Sequence, residues 1–136
     1  MRRYSTLGEH AAVWLAIGAA GALLDRARRP RWQRATAVVA CSYLTSSSIK
    51  WSIGRPRPVI ADLPHLMATP TGLSFPSSHS TSSFAAARAY AGLLPTLPLY
   101  CAATTMAVSR LYLGVHYPSD IAAGVALGSV LGTLGR

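Results

Sequence analysis

Three short clusters hold the residues of this chain that could do chemistry: Lys50 with Arg57-Pro58, Pro76-Ser77-Ser78-His79, and Ser109-Arg110 with His116 and Asp120. Together they supply cations, histidines and a carboxylate, a set able to break a phosphate ester through a histidine nucleophile. His116 and Asp120 are four apart, and Pro118 between them favours the first turn of a helix. At that spacing the carboxylate accepts from one imidazole nitrogen and leaves the other free to attack. This is the base-orienter logic of catalytic triads applied to histidine itself. Arg110 can fork onto phosphate oxygens. Ser77 or Ser78 as a helix cap leaves backbone N–H groups aimed at an anion, and His79 on that turn is placed to protonate a leaving alkoxide. Lys50 and Arg57 read as phosphate clamps, whereas Arg55 reads as an ordinary membrane-surface anchor. Each cluster alone has a plain alternative: an interfacial His–Asp pair with a snorkelling Arg, a common Ser cap, or anchoring cations.

The elements that must position these groups are apolar. The chain is 51% hydrophobic and 12% charged, with a mean hydropathy of +0.31. Five apolar segments stand out, from Ala11 to Leu24, Ala35 to Ile49, Ser80 to Leu94, Leu97 to Leu113 and Ile121 to Leu134. Each is shorter than the roughly 20 residues of a full span, so flanking polar residues must enter the interface. The expectation is an all-α, integral-membrane bundle of about five transmembrane helices, one domain over residues 1–136. A soluble bundle would need polar stripes at helical period, which the first and fifth segments lack. Alternation then places Lys50, His79, Arg110 and Asp120 at one membrane face, and ionisable residues at that depth face a polar cavity. Their excess of positive charge points to phosphate.

The formal charge of +9 comes from arginines that flank apolar runs and form no nucleic-acid-binding face. Arg26, Arg28, Arg29, Arg31 and Arg34, read as a loop over residues 25–34, lie with Arg136 on one side. By the positive-inside rule that side is cytoplasmic, and the three clusters face outward from the cell membrane. Arg2-Arg3 pull the other way, and could also begin a signal peptide. Cys41 and Cys101 read as small buried hydrophobes. The stretch from Pro56 to Phe75 mixes prolines with apolar residues, as in a loop resting in the interface. Gly124, Gly128 and Gly132 form a flat ridge for close helix approach, either within the chain or across a homodimer.

The pattern resembles the type 2 phosphatidic acid phosphatases, lipid phosphate phosphatases related to vanadium haloperoxidases and class A bacterial acid phosphatases. Their motifs read K-x6-R-P, P-S-G-H and S-R-x5-H-x3-D. Here they appear as Lys50…Arg57-Pro58, Pro76-Ser77-Ser78-His79 and Ser109-Arg110…His116…Asp120, with Ser78 where the family commonly has Gly. Upstream of Lys50 there are two apolar segments where six-span members have three. The resemblance implies that His116 attacks phosphorus to give a phosphohistidine, oriented by Asp120. His79 would protonate the leaving group and then activate water. Lys50, Arg57 and Arg110 would hold the phosphoryl oxygens, with Ser77 and the amides of Ser78 and His79. No cofactor or metal is expected, because no acidic cluster could bind one. Polyprenyl phosphates or diphosphates, polyprenyl phosphosugars, phosphatidic acid and phosphatidylglycerol phosphate all fit as substrates. An Arg- and Ala-rich composition leans the choice toward a polyprenyl phosphosugar of actinobacterial type. The competing readings are a catalytically silent lipid-phosphate binder or transporter-like protein, which would need the cations but not His116, and a vanadate-dependent oxidase.

Overall fold

The computed structural model describes residues 11–59, 69 and 71–136. The Arg2-Arg3 pair and most of the loop between residues 60 and 70 lie outside them. The described chain is all-helical: α1 (Ala12–Leu24), α2 (Arg29–Ile53), α3 (Ser78–Ala89), α4 (Thr96–Tyr112) and α5 (Pro118–Gly132), with single 3-10 turns at Arg26–Arg28 and Thr133–Gly135. These are the five segments expected from hydropathy, and two boundaries move by more than four residues. α2 begins at Arg29, so most of the basic stretch read as a loop is helix. Arginine is a good helix former, and Pro30 sits in the first turn, where its missing N–H costs nothing. The bend before it is closed by Asp25, whose carboxylate accepts from the Arg28 backbone at 3.2 Å. α3 stops at Ala89 instead of Leu94. There Gly92 takes φ +86°, and the N–H groups of Leu93 and Leu94 both donate to the Tyr90 carbonyl.

α3 is the central element and touches each of the other four helices. Its sequence, SHSTSSFAAARA, is nearly all small side chains, which lets neighbouring backbones come close. Two of its buried hydroxyls are satisfied on their own helix, Thr81 donating to the Ser77 carbonyl at 3.0 Å and Ser82 to that of Ser78 at 2.9 Å, while Ser83 accepts from Trp14 Nε1 at 3.0 Å. α5 presents its glycine ridge to this helix. A Cβ at Gly124 would fall 2.7 Å from the Ser77 carbonyl oxygen, one at Gly128 would collide with the Thr81 carbonyl, and one at Gly132 would lie 2.6 Å from Arg88 Cβ. The ridge of Gly124, Gly128 and Gly132 is therefore spent on packing within the chain, the first of the two readings its spacing allowed, and is not open as a homodimer face.

Below the site, Trp14, Trp32, Val39, Tyr90 and Leu99 form the apolar core. Tyr90 donates its hydroxyl to the Trp14 carbonyl at 2.8 Å and tilts against Trp32 with ring centroids 5.5 Å apart. Much of the larger apolar surface faces outward, including Leu23, Leu24, Leu44, Leu97, Val108 and Val130, while serines line the interior. Cys41 and Cys101 are also exposed, correcting their assignment to the core. An apolar run does not say which face turns inward. The buried positions of α2 (Ala35, Val39, Ser42, Ser46) and of α4 (Leu99, Ala103, Ala107) repeat at three- to four-residue spacing and leave both cysteines outside. Among the described residues no helix is both long and apolar enough to cross a membrane. α1 is apolar but, at 13 residues, only about 20 Å long. α2 is long enough, but it carries arginines at its start and Lys50 near its end.

Candidate active site

The sequence clusters meet at one end of the bundle. Arg55-Pro56-Arg57 leaves α2 through Gly54, whose φ of +65° reverses the chain, and runs extended as the prolines dictate. This strip pairs with residues 71–74. Arg57 N–H donates to the Gly72 carbonyl at 3.1 Å, Ser74 N–H to that of Arg55 at 2.8 Å, and Pro56 bridges Leu73 antiparallel. The fully buried Ser74 hydroxyl also reaches the Pro56 carbonyl at 3.0 Å. The pairing ties the first cluster to the turn that opens α3. Nothing in the sequence near Ser74 announced it.

Asp120 occupies the first turn of α5 and is fully buried. Its Oδ2 accepts from the Tyr117 backbone N–H at 2.8 Å and faces His116 Nδ1 at 3.5 Å. Its backbone carbonyl accepts from Ser77 N–H at 3.1 Å, joining the second and third clusters. On the other side of the ring, Arg57 Nη1 lies 3.3 Å from His116 Nε2. The same guanidinium is anchored through Nη1 to the Val115 carbonyl at 2.7 Å and through Nε to that of Thr71 at 2.9 Å. With the proton on Nδ1, the nitrogen that faces the carboxylate at 3.5 Å, the Nε2 lone pair points toward Arg57.

Lys50, only 8% exposed at the end of α2, Arg57 and Arg110 all act electrostatically on His116. Arg110 also donates to Met106 Sδ at 3.4 Å. His79, in the first turn of α3, borders a small cavity shared with Trp14, Ser82, Ser83 and that same Met106. Ser77 is the N-cap of α3. Its buried hydroxyl accepts from Ser80 N–H at 3.4 Å and from the Ser80 hydroxyl at 3.1 Å, so it builds the turn that presents Ser78 and His79. Arg55, read from the sequence as a surface anchor, instead donates to Asp120 Oδ1 at 3.0 Å.

Burial, then Arg57, then Lys50 push the His116 ring down to about 3; the Ser74 carbonyl opposes this, and Arg110 adds to it. The ring is therefore neutral at physiological pH. In ¹⁵N-histidine NMR of the substrate-free protein, the resonance missing in His116→Asn is expected to remain that of a neutral ring at about pH 5, where an ordinary histidine is protonated. A ring found charged at that pH would contradict the geometry. The folded value lies below the ordinary 6.5, so this contribution to stability is whole above 6.5 and is lost as the pH falls toward about 3.

Comparison with known proteins follows the same lines. The family model described as "PAP2 superfamily" matches residues 31–135. Decaprenylphosphoryl-5-phosphoribose phosphatase of Mycolicibacterium smegmatis is 41% identical over 123 residues, covering 90% of this chain and 68% of that protein. Its Mycobacterium tuberculosis namesake is 41% identical over 134 residues, 98% of this chain and 75% of the relative. Lipid A 1-phosphatase of Rhizobium etli is 37% identical over 98 residues, 66% of this chain and 42% of the relative. Among solved structures, a transmembrane PAP2 type phosphatidylglycerolphosphate phosphatase from Bacillus subtilis gives a TM-score of 0.71 at 28% identity. That match covers 89% of this chain, which spans 64% of the solved one.

Proposed function

The chain belongs to the PAP2 superfamily, and from that premise we propose that it is a membrane-embedded phosphatase that hydrolyses a phosphomonoester on a polyprenyl-linked lipid through His116. The observation that carries this reading is the placement of one imidazole between a carboxylate on Nδ1 and a guanidinium on Nε2. A binder would need the cations alone. His116 Nε2 attacks phosphorus as the ester P–O bond breaks, and Asp120 stabilises the imidazolium that forms. His79 gives its proton to the leaving oxygen. It then takes one from the water that cleaves the P–N bond and releases inorganic phosphate. Lys50, Arg57 and Arg110 hold the phosphoryl oxygens, and this charge stabilisation supplies most of the rate. Arg57 Nη1, 3.3 Å from Nε2, can hold one such oxygen beside the attacking nitrogen.

Membrane embedding is supported by the outward-facing Leu and Val side chains around a core of small residues and serines. Arg34 donates to the Arg136 carbonyl at 3.5 Å, so the basic end of the bundle is opposite the site. The positive-inside rule then puts the site on the extracytoplasmic face. The names of the two mycobacterial relatives support a polyprenyl phosphosugar over phosphatidic acid or phosphatidylglycerol phosphate. Purified protein in detergent is expected to release phosphate from decaprenylphosphoryl-5-phosphoribose with a kcat/KM at least about tenfold above the other two lipids, a margin of roughly 1.4 kcal/mol in transition-state binding. The release should be unaffected by EDTA. Faster release from phosphatidylglycerol phosphate would reassign the substrate. EDTA-sensitive release, or none from any of the three, would overturn the mechanism.

A further inference from the structure

We propose that Arg55 is a positioning residue of this site: braced on Tyr117 and Ser119, it fixes the Asp120 carboxylate so that the His116 lone pair stays on Nε2. This inference rests on His116 being the nucleophile.

Several observations converge on Arg55. Its Nη1 donates to Ser119 Oγ at 2.8 Å and to Asp120 Oδ1 at 3.0 Å. Its guanidinium carbon stands 4.3 Å above the centre of the Tyr117 ring. Its backbone is held as well, the carbonyl accepting from Ser74 N–H at 2.8 Å. The cation is therefore braced by the loop that carries His116 and by the first turn of α5, and is anchored in the ribbon behind it.

The effect falls on the carboxylate. A buried carboxylate bonded through one oxygen can still turn about its Cβ–Cγ bond. Here each oxygen has its own partner, Arg55 on Oδ1 and the Tyr117 N–H on Oδ2, so Oδ2 is fixed toward His116. Arg55 also neutralises a carboxylate that is fully buried. Lys50 lies within electrostatic reach of Asp120. Without Arg55 the carboxylate would draw on a cation otherwise available to phosphate, because a buried charge needs a partner. Arg55 thus separates the cation that serves Asp120 from those that serve the substrate. A lysine would keep the charge but lose the stack on Tyr117 and the planar donor geometry.

The test is a double-mutant cycle on the full-length protein in detergent, with phosphate release from decaprenylphosphoryl-5-phosphoribose as the readout. Arg55→Ala is expected to lower kcat by about 10²-fold, the scale of a misplaced catalytic group, with KM within about twofold. Arg55→Lys should fall between, at a loss of about tenfold. In an Asp120→Asn background the same Arg55 changes should cost less than about threefold, because the carboxylate they act through is gone. A residue that merely props up the fold would cost the same in both backgrounds and lower the melting temperature. Should Arg55→Ala not fold, Arg55→Lys carries the same comparison. Near-wild-type kcat in Arg55→Ala, a loss confined to KM, or an undiminished loss beside Asp120→Asn would overturn the proposal. Wild type and His116→Ala run alongside: full release from His116→Ala would instead refute the nucleophile.

Discussion

Replacing His116 by alanine is expected to lower phosphate release by roughly 10⁴–10⁶-fold, the scale seen when the attacking group of a covalent mechanism is deleted. The ring is nearly buried and neutral, and its Nε2 meets the cations. A water entering in its place would lack both the fixed approach to phosphorus and a base on that side. Charge stabilisation by Lys50, Arg57 and Arg110, as proposed, would remain and is expected to leave a residual rate over water. Rapid quenching of wild type with ³²P-labelled substrate is expected to trap label on the protein that is stable to alkali and lost in acid, as a phosphoramidate should be. His116→Ala should trap none, yet still be shielded from heat by inorganic phosphate, because the cations are intact. Full release from His116→Ala, or equal label on both proteins, would remove the nucleophile from the mechanism.

The sequence made the existence and end-to-end order of the helices legible, because an apolar run bounded by charge and proline has few other solutions. Alternation also put Lys50, Arg110 and Asp120 at one end, and the structure gathers these three with Arg57 around His116. What the sequence concealed was sidedness and long-range pairing. Cys41 and Cys101 sit in apolar runs yet face outward, because a helix apolar all round carries no mark of its inner face. Arg55 was misread for a different reason. Its partners, Ser119 and Asp120, are more than sixty positions away, and only the pairing of the 55–57 strip with residues 71–74 brings it to them. Ser77 or Ser78 was expected as the cap of this helix, and Ser77 is the one that takes it, its hydroxyl oxygen accepting from Ser80. Spacing identifies a group that could act; it does not show what else that group must hold in place.

Gly128→Leu is expected to fold poorly and melt well below wild type, and the milder Gly128→Ala to leave a folded but crippled enzyme. The glycine meets backbone, with the Thr81 carbonyl directly in the path of any Cβ and Ala85 N at 3.0 Å. A side chain at such a contact cannot be accommodated by another rotamer, so α5 must move off α3. Overpacking of this kind costs about 3 kcal/mol or more for a bulky residue, a fall in melting temperature of roughly 10 °C. The separation also reaches the chemistry, because the start of α5 carries Asp120 and the start of α3 carries Ser77, Ser78 and His79. Their link is the 3.1 Å hydrogen bond from Ser77 N–H to the Asp120 carbonyl. Even the methyl of Gly128→Ala should therefore lower kcat by about tenfold or more, since a shift of an ångström between catalytic groups is costly. An outward-facing change, Cys101→Leu, should leave both melting temperature and kcat within error of wild type. Normal melting and kcat in Gly128→Leu would mean that α5 does not pack on α3 through its glycines. The glycine ridge would then be free for another partner, and the two halves of the site would be held together by something else.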